Sequence, residues 1–178
     1  DADALITGYS KSYPNVVKPI LKLIGLDDGA TRIATTNLLI TERGPLFLSD
    51  TSINIDPSAA DLAKIAQMTA TTVKMFGIEP VIAMTSYSNF GSSKDISATK
   101  VRTAVKYLHR SYPNLIVDGE LQTDFALNNE MRNDIFPNIN KAHDQGLLCT
   151  HHSTFATLFT IIILRIWFDT ILREFLTI

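Results

Sequence analysis

Residues 80–120 read PVIAMTSYSNFGSSKDISATKVRTAVKYLHRSYPNLIVDGE, and their pattern decides the fold class. Pro80 to Met84 is a short apolar run of the kind that fills a buried strand. TSYSNFGSSKD, residues 85–95, is a polar loop. Val101, Val105 and Leu108 recur at helical spacing and predict a helix near 96–110. Leu115 to Val117 is another buried-strand run, ending in Asp118-Gly119-Glu120. This alternation of strand and helix predicts an α/β fold: a three-layer αβα unit with a mostly parallel sheet.

The flanks continue the alternation. Upstream, Asp56-Pro57 reads as a helix start, with a capping carboxylate followed by proline at the first helical position. Leu62, Ile65, Ala66, Thr69, Val73 and Phe76 keep helical spacing, and Gly77 suits a left-handed C-cap. Thr31 to Thr41 is rich in β-branched and aliphatic residues; Glu42-Arg43-Gly44 reads as a turn and Pro45 to Leu48 as a short partner strand. Ser12 and Pro14 look like a cap and first-turn proline for a helix through Ile24, with Val17, Ile20, Leu21 and Ile24 on one face, Gly25 at its end and Pro19 as a kink. Downstream, one helix is expected from about Asp124 to Asp134. No internal repeat or low-complexity linker occurs.

The 178 residues suffice for one core. Sixteen Lys+Arg stand against 18 Asp+Glu, a formal charge of -2. This balance disfavours a nucleic-acid groove and a polybasic membrane-surface binder. With 46% hydrophobic and 19% charged residues, disorder is disfavoured too. A single cysteine, Cys149, excludes an intramolecular disulfide framework and suits a reducing compartment. The acidic, polar opening DADALITGYSKSYP carries no secretory signal, so the expected location is cytoplasmic. It also lacks an initiator Met, which suggests a piece of a longer protein. The most apolar stretch, FATLFTIIILRIWF at 155–168, is interrupted by Arg165 and is too short to span a membrane, which takes ~20 residues.

In open α/β sheets, ligands bind beyond the carboxyl ends of the strands. Three loops are expected there: Ser49 to Asp56, Thr85 to Lys94 and Asp118 to Asp124. Within SNFGSS, Ser86 lies just upstream of Ser88, Asn89, Gly91, Ser92 and Ser93. A glycine among serines at a helix N-terminus can offer N–H groups, hydroxyls and the positive dipole end to a phosphate. It can equally be a serine-rich turn that caps the helix. The motif is neither a Walker A nor a GxGxxG pattern. Asp118 and Glu120, with Asp124 nearby, can divide acid and base roles or cap the next helix. Asp50, Asn54 and Asp56 pose the same choice. His143, Cys149, His151 and His152 form a loose cluster without a zinc-site spacing, so no metal site is expected. Cys149 has no evident base to activate it.

Three blocks in unbroken order then resemble the phosphate acetyl/butyryl transferase family: DADALITGYSKSYPNVVKPILKLIG (1–25), LFLSDTSINIDPSAADLAKIAQMTATTVKMFGIEPVIAMTSYSNFGSS (46–93) and KVRTAVKYLHRSYPNLIVDGELQTDFAL (100–127). The Asn89-Phe90 form of the serine loop and the GYSKSYPNVVKP block are most similar to the transferase-like C-terminal domain of bacterial NADP-dependent malic enzymes. The resemblance implies a two-domain phosphotransacetylase-like fold with the active site between the domains. Residues 1–28 would end the first domain and 29–137 would form the second. It implies coenzyme A or acetyl-CoA as ligand, a homo-oligomer, and no cofactor within this segment. NADP and a divalent metal would belong to a preceding malic-enzyme domain that decarboxylates malate oxidatively to pyruvate.

By the same resemblance, Ser10, Ser12 and Lys18 join Asn54, Ser86, Ser88, Asn89, Gly91, Ser92, Ser93, Asp118 and Glu120 as ligand-binding candidates. Lys18 stands where the transferases carry an arginine, and the two are not equivalent toward phosphate. Transferases also carry a serine-arginine-glycine motif whose arginine steadies the transition state, followed by an aspartate, the proposed base. This chain has no such motif, so no catalytic residue is assigned. A regulatory acetyl-CoA-binding domain is expected ahead of a working phosphate acetyltransferase. The match fails after about Asn138. Residues 138–178 read as an anomalous apolar tail, from either a frameshifted or truncated reading frame or a divergent helix. Phe155, Leu158, Phe159, Ile162, Ile163, Ile166, Trp167 and Leu172 would form its apolar face. Removing 139–178 is expected to leave residues 29–137 folded.

Overall fold

Pro14 lies in the first turn of α1 (Tyr13–Leu23), where its missing N–H is no loss, and Ser12 is the N-cap residue. The helix runs on through Pro19, forgoing the one bond proline cannot donate. The computed structural model describes residues 5–7, 10, 12–26, 30–42, 44–51, 53–135 and 147–150. It divides between Ile33 and Ala34 into two compact units. The first contains α1.

The second unit is built on a five-stranded sheet in the order β1-β2-β5-β3-β4. β1 (Thr36–Thr41) and β2 (Gly44–Ser49) form an antiparallel hairpin, with Thr36 opposite Ser49. β3 (Val81–Thr85), β4 (Ile116–Leu121) and β5 (Leu147–Thr150) complete it, and β5 pairs in parallel with both β2 and β3. The parallel β3–β4 pair is joined by α3 (Ile96–Ser111), the crossover foreseen from the 80–120 pattern. The expected first strand starts later than Thr31, at Thr36.

Alternation along the strands feeds two cores. Phe47, Ile82, Met84 and Val117 point to one face, where α2 (Ala59–Met75) and α3 bring Leu62, Ala66, Ala70, Val73, Val101, Ala104, Val105 and Leu108. Leu48, Ala83 and Leu121 point to the other face and meet Phe125 and Ala126 of α4 (Thr123–Leu127). The result is the αβα layering. Phe76 leaves the expected apolar stripe: it is the C-cap residue of α2, 57% exposed, with its ring edge-on to Phe47 at 5.4 Å.

Three local expectations need correction. The cap of α2 is Ser58, not Asp56. The Asp61 N–H reaches the Ser58 hydroxyl at 3.2 Å, and the Ser58 N–H reaches the Asp61 carboxylate at 2.9 Å. This reciprocal box satisfies two orphan donors where Asp56 would satisfy one. Asp56 instead forms an ion pair with Lys100 of α3. The helix expected over 124–134 is two: α4 stops at Asn128, whose extended backbone separates it from α5 (Asn129–Ile135). Finally, Asp118, Gly119 and Glu120 lie within β4, not beyond it.

Gly119 is required there. Its φ is +141°, and a Cβ would stand 2.5 Å from the Met84 carbonyl oxygen of the neighbouring strand. Gly119→Ala is therefore expected to lower stability by about 1–3 kcal/mol, the usual cost of overpacking against fixed atoms. Urea unfolding measures this; an unchanged midpoint would refute the close approach.

Of the tail, β5 alone is described, and it occupies the middle of the sheet. The apolar residues from Phe155 to Leu172 lie outside the described residues, as do His143, His151 and His152. No group of three or more His, Cys, Asp or Glu able to hold a metal occurs among the described residues. Among them, too, no helix is long and apolar enough to cross a membrane.

Candidate functional site

β2, β3 and β5 run parallel, and β4 runs parallel to β3. The segments after β2, β3 and β4 therefore leave the sheet at one edge, the carboxyl edge at which ligands bind in such folds. Ser86 to Ser93 follow β3 there. Asn54 follows β2, is buried, and donates from Nδ2 to Asp50 Oδ1 at 2.6 Å. Asp118 accepts the N–H of Gly119 at 2.8 Å. Ser10, Ser12 and Lys18 belong to the first unit, where all three are exposed.

Glu120 organises the serine loop. Its carboxylate is 0% exposed. Oε1 accepts from the Gly91 N–H at 2.8 Å, the Ser88 hydroxyl at 3.0 Å and Arg102 Nη2 at 2.7 Å; Oε2 accepts from Arg102 Nε at 2.8 Å. Arg102, on α3, thus grips the carboxylate with two nitrogens, the strong geometry for such a pair. Its Nη2 also reaches the Ser93 carbonyl at 2.8 Å. Burial is the largest single influence on the Glu120 carboxyl and pushes it up. The bonds from Arg102, Gly91, its own N–H and Ser88 together outweigh burial and hold it below the usual glutamate range. The hydrogen bond with Glu120 raises Arg102 in turn.

Two residues on, just past the end of β4, Gln122 at the N-cap of α4 supplies a second clamp. Its N–H donates to Asn89 Oδ1 at 2.6 Å, Asn89 Nδ2 donates to its Oε1 at 2.9 Å, and its Nε2 donates to the Tyr87 carbonyl at 2.8 Å. Ser93 and Tyr87 share a hydroxyl contact at 3.0 Å, and Ser88 and Ser92 another at 3.0 Å.

The loop's own donors are consequently spent. The Asn89 N–H goes to Ser92 Oγ, Phe90 to the Glu120 carbonyl, Gly91 to the Glu120 carboxylate, Ser92 to the Asn89 carbonyl and Ser93 to Ser88 Oγ. Even the Ser88 N–H has Ser86 Oγ at 3.4 Å. The N-terminus of α3 is closed as well: Asp95 caps it by accepting from the Ser97 N–H at 2.9 Å, a bond that holds its carboxyl below the usual range. The N–H cradle for phosphate expected of SNFGSS is therefore filled from inside. Glu120 is likewise no free acid or base, because both its oxygens are bound and its charge is neutralised.

Arg102, Gln122 and Tyr87 were not among the sequence candidates. Arg102 carried a readable signal. Ala98, Val101, Arg102 and Val105 share a helix face, so Arg102 sits among residues that are buried. A charged residue at such a position announces a buried partner. Nothing in the spacing marked Gln122.

A family model described as phosphate acetyl/butaryl transferase matches residues 1–146. The NADP-dependent malic enzyme of Haemophilus influenzae is 40% identical over 136 residues, which cover 76% of this chain and 18% of that enzyme. The phosphate acetyltransferase of Bacillus subtilis is 41% identical over 127 residues, covering 70% of this chain and 39% of that enzyme. The crystal structure of a phosphotransacetylase from Streptococcus pyogenes superposes with a TM-score of 0.77 at 33% identity, covering 90% of this chain and 50% of that one. The chain thus spans half or less of the length of each of these relatives. With the matched blocks, the αβα layering and the serine loop at the carboxyl edge of its sheet, the chain belongs to the phosphate acetyl/butaryl transferase family.

Proposed function

We propose that this chain is the phosphotransacetylase-like domain of an NADP-dependent malic enzyme, binding acetyl-CoA or coenzyme A to regulate and help assemble a cytoplasmic parent enzyme. That parent would hold NADP and a divalent metal in a preceding domain and decarboxylate malate oxidatively to pyruvate. The observation that carries the reading is the closed state of the serine loop. Acetyl transfer to a thiol needs the thiol deprotonated and the developing charge stabilised by aimed donors. Here the cation beside the loop, Arg102, is neutralised by Glu120, and the loop's N–H groups are committed to internal partners. That arrangement suits holding a ligand better than turning it over. Asn54, Ser86, Asn89 and Ser92 are the proposed ligand contacts of the second unit, and Ser10, Ser12 and Lys18 are proposed contacts of the first unit taken by itself.

The alternative is a phosphate acetyltransferase moving acetyl between coenzyme A and phosphate, favoured by the 41% identity to the Bacillus subtilis enzyme. The two readings separate in one assay. This chain is expected to bind acetyl-CoA in calorimetry yet to release no phosphate from acetyl phosphate and coenzyme A beyond a no-protein control. Losing one electrostatic stabiliser commonly lowers such rates by ~10²–10³. Coenzyme-A-dependent phosphate release would establish the transferase instead.

A further inference from the structure

A loop of glycine and serines ahead of a helix invites an anion, and in this chain the anion is already present. The carboxylate of Glu120 receives the Gly91 N–H, the Ser88 hydroxyl and two nitrogens of Arg102, the set of donors an external phosphate oxygen would seek. It arrives from β4, in a strand whose neighbour Gly119 alone permits the close approach to Met84. The remaining N–H groups from Ser88 to Ser93 bond to oxygens of the loop itself or of Glu120. We infer that Glu120 is a built-in occupant of the loop's anion position and that, with Arg102, it forms a specificity-determining pair that closes the loop to phosphate groups.

A phosphate approaching this loop meets no uncommitted backbone donor between Ser88 and Ser93, and it faces a carboxylate already in place. An uncharged group meets the hydroxyl of exposed Ser92 and the half-buried Ser86, Asn89 and Phe90. The loop therefore takes the phosphate-free part of its ligand. On the acyl-CoA reading above, that is the thioester and amide-bearing arm, and the phosphates are met elsewhere. Arg102 and Glu120 act through the loop and are positioning residues.

Amide NMR of the whole chain tests this. In the wild type, inorganic phosphate at millimolar concentration should leave the Ser88–Ser93 amides unmoved; shifts saturating there would overturn the inference. In Glu120→Ala, phosphate and acetate should each shift those amides, with acetate restoring the wild-type pattern, because the vacated position keeps Arg102 and the Gly91 N–H. Amides indifferent to both anions would count against it. Should that variant fail to fold, Glu120→Gln should speed exchange of the Gly91 amide by about tenfold or more, the effect of losing one charge-assisted bond. Unchanged Gly91 exchange would overturn the inference. Acetyl-CoA is titrated separately. If it moves no amide anywhere in the chain, the acyl-CoA reading fails, while the phosphate result still decides the role of Glu120.

Discussion

Deleting residues 139–178 is expected to abolish cooperative unfolding of the second unit. β5 joins the two halves of the sheet. It sets Phe47, Leu48 and Ser49 of β2 opposite Leu148, Cys149 and Thr150, and Val81 to Met84 of β3 opposite Leu147 to Thr150. Without β5, β2 and β3 face a strand-wide gap. Their N–H and C=O groups lose partners at positions that are essentially unexposed: Ile82 and Ala83 at 0%, Met84 at 1% and Leu48 at 2%. Unpaired backbone groups at such depth are rarely tolerated. The β1–β2 hairpin would be left beside a two-stranded β3–β4 remnant, and a lone hairpin is marginal in water. Circular dichroism during heating would show a broad, gradual loss of signal. A sharp transition in the truncated chain would mean that β2 and β3 pair directly and that the sheet closes without β5. The sequence reading expected the opposite, because the three family-like blocks end at Leu127, whereas the family model runs on to residue 146, just before β5. The strand needs no such match, because the backbones of β2 and β3 on either side supply its hydrogen bonds.

Arg102→Ala should be the most damaging single substitution in the loop network. Truncation leaves the Glu120 carboxylate buried without its cation, and a buried charge stripped of its partner ranks among the costliest single changes. A fall of at least ~6 °C in the unfolding midpoint is expected at neutral pH. The pH dependence carries the sharper signature. In the native chain the Glu120 carboxyl lies below the usual range, so its stabilising contribution is present above the ordinary value of about 4.3 and is lost as pH falls through the lower folded value. In the variant, burial is opposed by the bonds from Gly91, Ser88 and the residue's own N–H but no longer by Arg102, and the carboxyl shifts upward from its native position. The stability that the charged carboxylate supplies at neutral pH is then reduced, and at low pH, where the carboxyl takes up its proton in both chains, that difference fades. The deficit relative to the native chain should therefore shrink from pH 7 to pH 4. Equal deficits at the two pH values, followed by thermal unfolding, would show that Glu120 does not need Arg102 to remain charged.

The sequence by itself determined the α/β class, because the period of the apolar residues changes from strand to helix and back over residues 80–120, and that period is local. It also located the serine loop and placed it at a strand end, since TSYSNFGSSKD interrupts two apolar patterns with residues that favour turns. The three ordered blocks pointed to the family. Local pattern could not say what the loop's donors bond to. That depends on Glu120 and Gln122 reaching it from 30 or so positions away in the chain, and on Arg102 arriving from a helix in between; both follow from the parallel register of β3 and β4. The same limit made Asp56 read as a cap, when Ser58 and Asp61 cap α2 together and Lys100 takes Asp56. Tertiary structure also decided that Asp118 to Glu120 remain in the strand, because the bulge at Met84 and the missing side chain of Gly119 let pairing continue to Leu121. It made residues 147–150 the centre of the sheet, a place set by the neighbours on either side. Periodicity reports which way a side chain faces, whereas a hydrogen-bond partner is chosen by what the fold brings opposite it.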